Sequence, residues 1–337
     1  MRIIELVHGS GGEETNSLIE NMFYKYLGND LLLQKNDATN LGVVEGNVVM
    51  TTDSFVIDPI FFKGGNIGKL SVCGTVNDLS VVGAKPLYLS LGLIIEEGFL
   101  ISDLEKIIMT IGQEAQKANV KIVCGDTKVV EKGKCDKIFI NTTGVGILKA
   151  NHPLGIKEVK AGDKVIISGT IGDHGFSIMN ERNKLSIDSK LKSDCQSLNG
   201  MIDEILTSSN QVKVMRDPTR GGVATTLIEL INSIGNDMII YEDCLPISEE
   251  VKEFAGLLGL NPLYMANEGK AIIIVSANQC EKVLSALRNT CEGAEATVIG
   301  EVLESRSKSL YLETFIGAKT RIFPMKGEQL PRICWLK

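Results

Sequence analysis

The sequence is poor in the groups that build metal and redox centres. Its three histidines (His8, His152 and His174) are scattered, and its eight cysteines contain no C-x-x-C spacing. Structural zinc and iron–sulfur clusters need several such ligands at short spacing, so both are weak readings here. Basic runs are also missing: Lys and Arg total 35 against 42 Asp and Glu, a net charge of −7, which gives electrostatic capture of nucleic acid or an anionic membrane nothing to work with. The longest apolar stretch, Pro86 to Ile95, stops at Glu96-Glu97 and is roughly half of what a bilayer span requires. The opening MRIIELVHGSGG breaks into glycines before a secretory core can form, so a cytosolic location is expected. The standard nucleotide fingerprints are absent too. No G-x-G-x-x-G follows a strand, and Gly68-Lys69 fails as a P-loop because Lys63 stands where its first glycine belongs and Leu70 replaces the Mg²⁺-holding hydroxyl.

What is present is a long, core-forming chain. At 337 residues and 44% hydrophobic content, two domains are expected, each with its own core. Strand-like and helix-like runs alternate, which predicts layered α/β architecture. Strands are expected at Asn47–Thr52, Leu87–Ile95, Val120–Cys124, Asn141–Leu148, Lys164–Ser168, Gln211–Met215, Ala271–Val275 and Val298–Val302. Helices are expected at Gly68–Val82, Gly172–Asn180, Gly222–Ile234 and Gln279–Arg288. Ser102-x-x-Glu105 has the form of a capping box before Leu104, Ile107, Ile108 and Ile111, which would make a strand–helix–strand crossover with its neighbours. The seam is expected near Asn151-His-Pro, giving domains 1–150 and 151–318. The remainder, 319–337, reads as a mobile arm: Lys319, Arg321, Lys326, Arg332 and Lys337 face only Glu328, with prolines at 324 and 331. Cys73, Cys124 and Cys244 lie in or beside apolar runs and are read as buried fillers, whereas Cys334 sits in the arm and does not fit that role.

Four aspartates are placed at apparent strand ends or glycine turns: Asp53 in MTTDSF, Asp78 in GTVNDLS, Asp126 in VCGDTK and Asp217 in VMRDPTRGG. Strand ends are where ligands collect in open α/β sheets, and hard oxygen donors of this kind suit Mg²⁺ with a phosphate ester. Singly, each is more often a cap or turn former. Glycine clusters at His8-Gly-Ser-Gly-Gly, Gly64-Gly65, Gly169 to Gly175 and Gly221-Gly222 lead towards helix starts, where free N–H groups favour phosphate. His174, in Gly-Asp-His-Gly, is read as ordering its loop or contacting nucleotide rather than as a base.

TTDSFVIDPIFFKGGNIGKLSVCGTVNDLSVVGAKP, CGDTKVV, SGTIGDHGFSIM, DPTRGGVATTLIE, NEGKAIIIV and the terminal PRIC closely resemble, in the same order along nearly the whole chain, the HypE family of hydrogenase maturation factors. That family belongs with aminoimidazole ribonucleotide synthetase, selenophosphate synthetase and thiamin-monophosphate kinase. The resemblance implies a two-domain fold of that type with a flexible tail, a homodimer joined through the N-terminal domains, and ATP with Mg²⁺ near the domain cleft. It implies that a C-terminal cysteine, here Cys334, receives a carbamoyl group from HypF and that ATP-dependent dehydration leaves a thiocyanate, whose cyanide passes to iron on the HypC–HypD complex. By position, Asp53, Asp78, Asp126 and Asp217 become the Mg²⁺–phosphate carboxylates, with Asp37 and the Gly221-Gly222 turn also at the nucleotide. Lys128 and Glu268 fall on the family's proton-transfer positions, although by residue type alone each is more often a solvated lysine or a turn carboxylate.

The residue types suit that chemistry. Dehydrating S–C(=O)–NH₂ requires the carbonyl oxygen to leave, which phosphorylation permits, together with a base near the amide nitrogen. Reach is adequate, since the steps from Arg321 to Cys334 would span about 43 Å at roughly 3.3 Å each. Relatives normally stop at the cysteine, whereas Trp335, Leu336 and Lys337 follow here and a bulky Trp must be accommodated beyond the thiol. Two rival readings are an ATP-dependent synthetase or small-molecule kinase of the same fold, and a nucleotide-binding assembly scaffold. Selenophosphate synthetase would need a reactive cysteine near the N-terminus, and the first here is Cys73.

Overall fold

The computed structural model describes residues 2–149, 154–182, 190–325 and 327; the expected seam at 151–153 and the thiol of Cys334 lie outside them. The chain forms two compact units, one of Met1–Phe61, Gly65–Ser80 and Ala84–Ala150, the other of Phe62–Gly64, Val81–Gly83 and Asn151–Lys337.

The first unit begins with α1 (Glu13–Leu18) and α2 (Tyr24–Leu27), separated by a π-helical stretch, and then β1 (Val48–Phe55). The chain continues through the short β2 (Phe61–Phe62) and β3 (Gly65–Asn66) into α3 (Ile67–Val81), β4 (Ala84–Glu96), α4 (Ile101–Lys117), β5 (Lys121–Val130) and β6 (Ile138–Leu148). Its sheet has the order β1-β6-β4-β5, antiparallel except for β4 and β5, which are parallel and joined by the expected α4 crossover. Strand residues alternate between faces. Thr51, Asp53 and Phe55 therefore share one face with Ile140, Thr142 and Gly144 of β6 and Leu89, Leu91 and Leu93 of β4. Helix α3 covers it, with Gly74 beside the Phe55 ring and Thr75 bonded to Thr142. The opposite face stays open: Val48, Met50 and Ile94 are 58%, 69% and 43% exposed.

The second unit contains β7 (Lys164–Ile167), α5 (Asp173–Arg182), α6 (Asn199–Ser208), β8 (Val212–Arg216), α7 (Gly222–Ile234), β9 (Met238–Tyr241), α8 (Glu249–Leu258), β10 (Ile272–Val275), α9 (Cys280–Arg288), β11 (Thr297–Val302), β12 (Leu310–Glu313) and β13 (Lys319–Ile322). The sheet runs β13-β12-β9-β11-β7-β10-β8, parallel only between β12 and β9. Period-two alternation divides its central strands between two cores. Ile272, Ile274, Val165 and Ile167 pack on α7, while Ile273, Val275 and Ile166 pack with α6 and α9. Strands buried on both faces read as unbroken apolar runs, which is why IIIV and KVII were legible.

Several expectations change. β1 and β5 continue their backbone pairing past the apolar stretches that mark them, so Asp53 and Asp126 lie inside strands; Asp78 lies inside α3, where the expected helix Gly68–Val82 places it, and among these four carboxylates only Asp217 follows a strand. Ser102 does not cap α4. The helix starts earlier, at Ile101, whose N–H is held by the Arg2 carbonyl, and Glu105 accepts instead from the Tyr26 hydroxyl at 2.7 Å and Lys25 Nζ at 3.1 Å. Cys73 is buried, but Cys124 on edge strand β5 and Cys244 in a surface turn are exposed; Cys195 and Cys280 are the other buried thiols among the described residues. Lys319 to Ile322, read as the start of the arm, pairs with β12 as the outermost strand.

Candidate active site

In the second unit three motif loops meet at one side chain. Asn267, 1% exposed, accepts the Gly172 N–H on Oδ1 at 2.7 Å, and its Nδ2 donates to the carbonyls of Pro218 (3.1 Å) and Met265 (3.0 Å). Its backbone N–H also donates to the Pro218 carbonyl at 3.1 Å. All the hydrogen-bonding atoms of a primary amide are thereby used, so Gly-Asp-His-Gly, Asp-Pro-Thr-Arg and Asn-Glu-Gly-Lys are tied together without help from solvent. Gly222, with φ of 62°, is forced by the same approach: a Cβ there would meet the Met265 and Leu263 carbonyls at 2.5 and 2.6 Å. Asp217, Gly221, Gly222 and Glu268 thus lie on loops held in one cluster.

Electrostatics separate the groups in this cluster. Burial raises the Asp173 carboxyl above its ordinary range, against the opposing pull of the Thr170 hydroxyl that donates to it and of nearby Lys270. Burial pulls the His174 imidazole down to about 4. Its Nδ1 lies 2.8 Å from Ser193 Oγ and its ring meets Phe62 edge-on at 5.9 Å. A neutral, packed imidazole at pH 7 orders a loop and is not a poised base, in line with the loop-ordering reading of this residue.

The first unit arranges its carboxylates differently. Thr51 Oγ1 donates to Asp78 Oδ2 at 3.0 Å across the β1–α3 interface, and Asp53, two residues further along β1, shares that face. Asp126 and Lys128 are paired at 3.0 Å on the open face of β5, where Gly92 and Ile94 are their cross-strand neighbours. Asp53 and Asp126 stand on the two outermost strands, about 14 Å apart at roughly 4.8 Å per strand. Asp37 belongs to a loop fastened along β5 by Thr39, whose hydroxyl donates to the Val123 carbonyl at 2.5 Å. The N-terminal glycine turn packs on the same strand, since a Cβ at Gly9 would meet the Val129 nitrogen at 2.6 Å. The structure therefore groups Asp53 with Asp78, and Asp126 with Lys128, the loop of Asp37 and the glycine turn. Among the described residues no group of three or more His, Cys, Asp or Glu side chains forms a ready metal cage, so the oxygen donors stand singly or in pairs.

Sequence reasoning missed three participants. Asn267 was visible only as part of Asn-Glu-Gly-Lys, Lys270 closes that same motif, and Asp194 belongs to no motif at all.

The fold and these loops define a two-domain protein related to aminoimidazole ribonucleotide synthetase. Residues 36–148 match the AIR synthase related protein N-terminal domain and residues 160–313 its C-terminal domain. Within that class the chain belongs to the HypE family. It is 44% identical over 331 residues to the carbamoyl dehydratase HypE of Azotobacter vinelandii, covering 98% of this chain and 97% of that protein. The crystal structure of the hydrogenase maturation protein HypE in complex with ATP superposes with a TM-score of 0.92 at 42% identity, covering 98% of this chain and 99% of the other. A chain from the HypE–HypF complex matches at 46% identity and a TM-score of 0.81, covering 92% of this chain and all of that one.

Proposed function

We propose that this chain carries out the ATP-dependent dehydration for which its relatives are named, on a carbamoyl group attached to its own Cys334, and thereby supplies cyanide ligands for nickel–iron hydrogenase. The observation that supports this most strongly is the full-length likeness to HypE proteins, one of them crystallised with ATP, joined to the locking of Gly-Asp-His-Gly, Asp-Pro-Thr-Arg and Asn-Glu-Gly-Lys around Asn267.

The thiocarbamate S–C(=O)–NH₂ loses its oxygen as phosphate. Its carbonyl oxygen takes the γ-phosphoryl group of ATP, both nitrogen protons are removed, the C–O bond breaks, and S–C≡N remains with ADP and phosphate. Glu268 accepts the first proton from the nitrogen, the second leaves with the departing phosphate as the C–O bond breaks, and Lys128 serves proton transfer at the phosphorylated oxygen. Asp37, Asp53, Asp78, Asp126, Asp217 and the Gly221-Gly222 turn hold the nucleotide and its metal. Mg²⁺ would fit carboxylates that stand singly or in pairs, as Asp53 and Asp78 do at one face of the sheet, because it is commonly held by one or two carboxylates with waters and phosphate oxygens completing the shell. When bound, it offsets charge on the phosphates.

HypF is the carbamoyl donor in this reading, supported by the likeness to a chain crystallised with HypF. A HypC–HypD complex accepts the cyanide. The homodimer draws support from the open face of the first unit's sheet, where Met50 is 69% and Val48 58% exposed. No helix among the described residues is long and apolar enough to cross a membrane.

The deciding experiment is mass spectrometry of the C-terminal peptide after incubation with HypF, carbamoyl phosphate and ATP. Cys334 should gain a carbamoyl group and then lose one water only when ATP is present. An unmodified peptide beside demonstrably active HypF would refute the proposal.

A further inference from the structure

The segment Ser193 to Gln196 carries no motif, yet it touches two of the loops above. The Asp194 side chain is 2% exposed. Its Oδ1 accepts the Glu268 N–H at 3.0 Å, its Oδ2 accepts the Gly269 N–H at 3.3 Å, and Lys270 Nζ lies 3.8 Å from Oδ2. Two residues on, Gln196 Nε2 donates to the Gly269 carbonyl at 3.1 Å. The two backbones are in contact, since a Cβ at Gly269 would lie 2.0 Å from the Asp194 carbonyl. Ser193, at the other end of the segment, holds His174.

Burying a carboxylate is costly, and pairing it with a lysine seldom returns more than an apolar contact of similar volume would. This carboxylate is directed at consecutive peptide N–H groups, and the first of them belongs to Glu268. Holding both N–H groups fixes the two peptides that flank the Glu268 Cα, Asn267–Glu268 and Glu268–Gly269, and with them the direction in which the Glu268 side chain leaves the backbone. The Gln196 bond to the Gly269 carbonyl holds the next peptide from its acceptor side.

We infer that Asp194 is a positioning residue for Glu268, setting the backbone from which that carboxylate reaches the thiocarbamate nitrogen, with Gln196 as its second anchor. The inference rests on the reading of Glu268 as proton acceptor and adds the element that aims it. The role is conformational: Asp194 meets the peptide N–H groups and takes no proton from the substrate.

The test is a double-mutant cycle on full-length, HypF-carbamoylated protein, following ATP-dependent loss of water from Cys334 in single turnovers, with binding of a fluorescent ATP analogue as the check on folding. Asp194→Asn should slow dehydration by about 10- to 100-fold, the range expected for a misaligned catalytic group, with analogue affinity within about twofold of the parent. In an Glu268→Gln background the same change should cost less than about twofold, because there is no longer a base to misplace. If Asp194→Asn retains the parental rate while Glu268→Gln is impaired, the inference fails and the reading of Glu268 stands. If the two losses multiply, Asp194 acts independently of Glu268 and the inference is again refuted. If Glu268→Gln itself keeps the parental rate, the proton-acceptor reading falls, and this inference with it. Should Asp194→Asn lose analogue binding through misfolding, Gln196→Ala takes its place in the same cycle: a three- to tenfold loss, on the order expected for one peptide hydrogen bond, should vanish in the Glu268→Gln background, and a multiplicative loss refutes the inference.

Discussion

The two units hold their polar groups in opposite ways. In the second, Asn267 and Asp194 are withdrawn from solvent and bonded to neighbouring loops, and buried Asp173 accepts from Thr170 in its own loop, before any ligand is considered. In the first, Asp126 and Lys128 are 68% and 64% exposed and bond each other on an open strand face. The motif loops of the second unit are ordered by buried hydrogen bonds of the protein's own, whereas sheet register places Asp126 and Lys128 of the first and leaves their side chains able to turn towards a ligand. The same kind of substitution should therefore have unequal effects on stability in the two units.

Asn267→Leu should show the largest effect. It strands the Gly172 N–H and the Met265 carbonyl in a buried site, while the Pro218 carbonyl keeps the backbone N–H of residue 267, and at about 1–3 kcal/mol per unsatisfied group the second unit should lose about 2–5 kcal/mol. Urea unfolding followed by circular dichroism measures this, and a loss below about 1 kcal/mol would break the contrast between the units.

Acid should act next in size, through His174. Its ordinary value of 6.5 applies to the unfolded chain, whereas burial holds it at about 4 in the fold. Between those values the unfolded state binds a proton that the native state does not, so stability rises with pH across the window. The full contribution is present above pH 6.5 and is lost as pH falls towards 4, at no more than about 1.4 kcal/mol per pH unit. His174→Asn should flatten this slope, which the difference in urea midpoints between pH 7 and pH 5 would reveal. An equal pH dependence in parent and variant would show that His174 is protonated in both states or in neither.

The same contrast decides what could be read from sequence. Helix α7 was bounded correctly at both ends because Gly221 and Gly235, both with positive φ, mark them in the chain. The central strands of the second unit were found because burial on both faces leaves only apolar residues. The motif loops are recognisable in the chain and Asn267 stands in one of them, but that it joins three loops depends on contacts with Gly172 and Pro218, far away in sequence. Asp194 was invisible for the same reason. It accepts from backbone atoms 74 and 75 residues away, and a peptide N–H carries no sequence signature. In the first unit, strand limits were misjudged where an exposed face relaxes the hydrophobic pattern. Asp53 and Asp126 consequently looked like strand-end groups although both lie within strands.

Lys128→Met should perturb stability least of all. The lysine is paired with Asp126 in solvent, and exposed pairs two residues apart on a strand contribute at most a few tenths of a kcal/mol. Its aliphatic replacement keeps the volume of the stem beside Ile94, so the urea midpoint should shift by less than about 0.5 kcal/mol. If Lys128 has the proton-transfer role assigned to it, the rate of ATP-dependent water loss should nevertheless fall by about 10²-fold or more, the usual range for removing a general acid or base. Asn267→Leu acts on stability, whereas Lys128→Met should lower activity and leave stability almost unchanged. A variant that is destabilised by more than about 1 kcal/mol, or that dehydrates Cys334 at the parental rate, would show that the open strand of the first unit serves structure rather than chemistry.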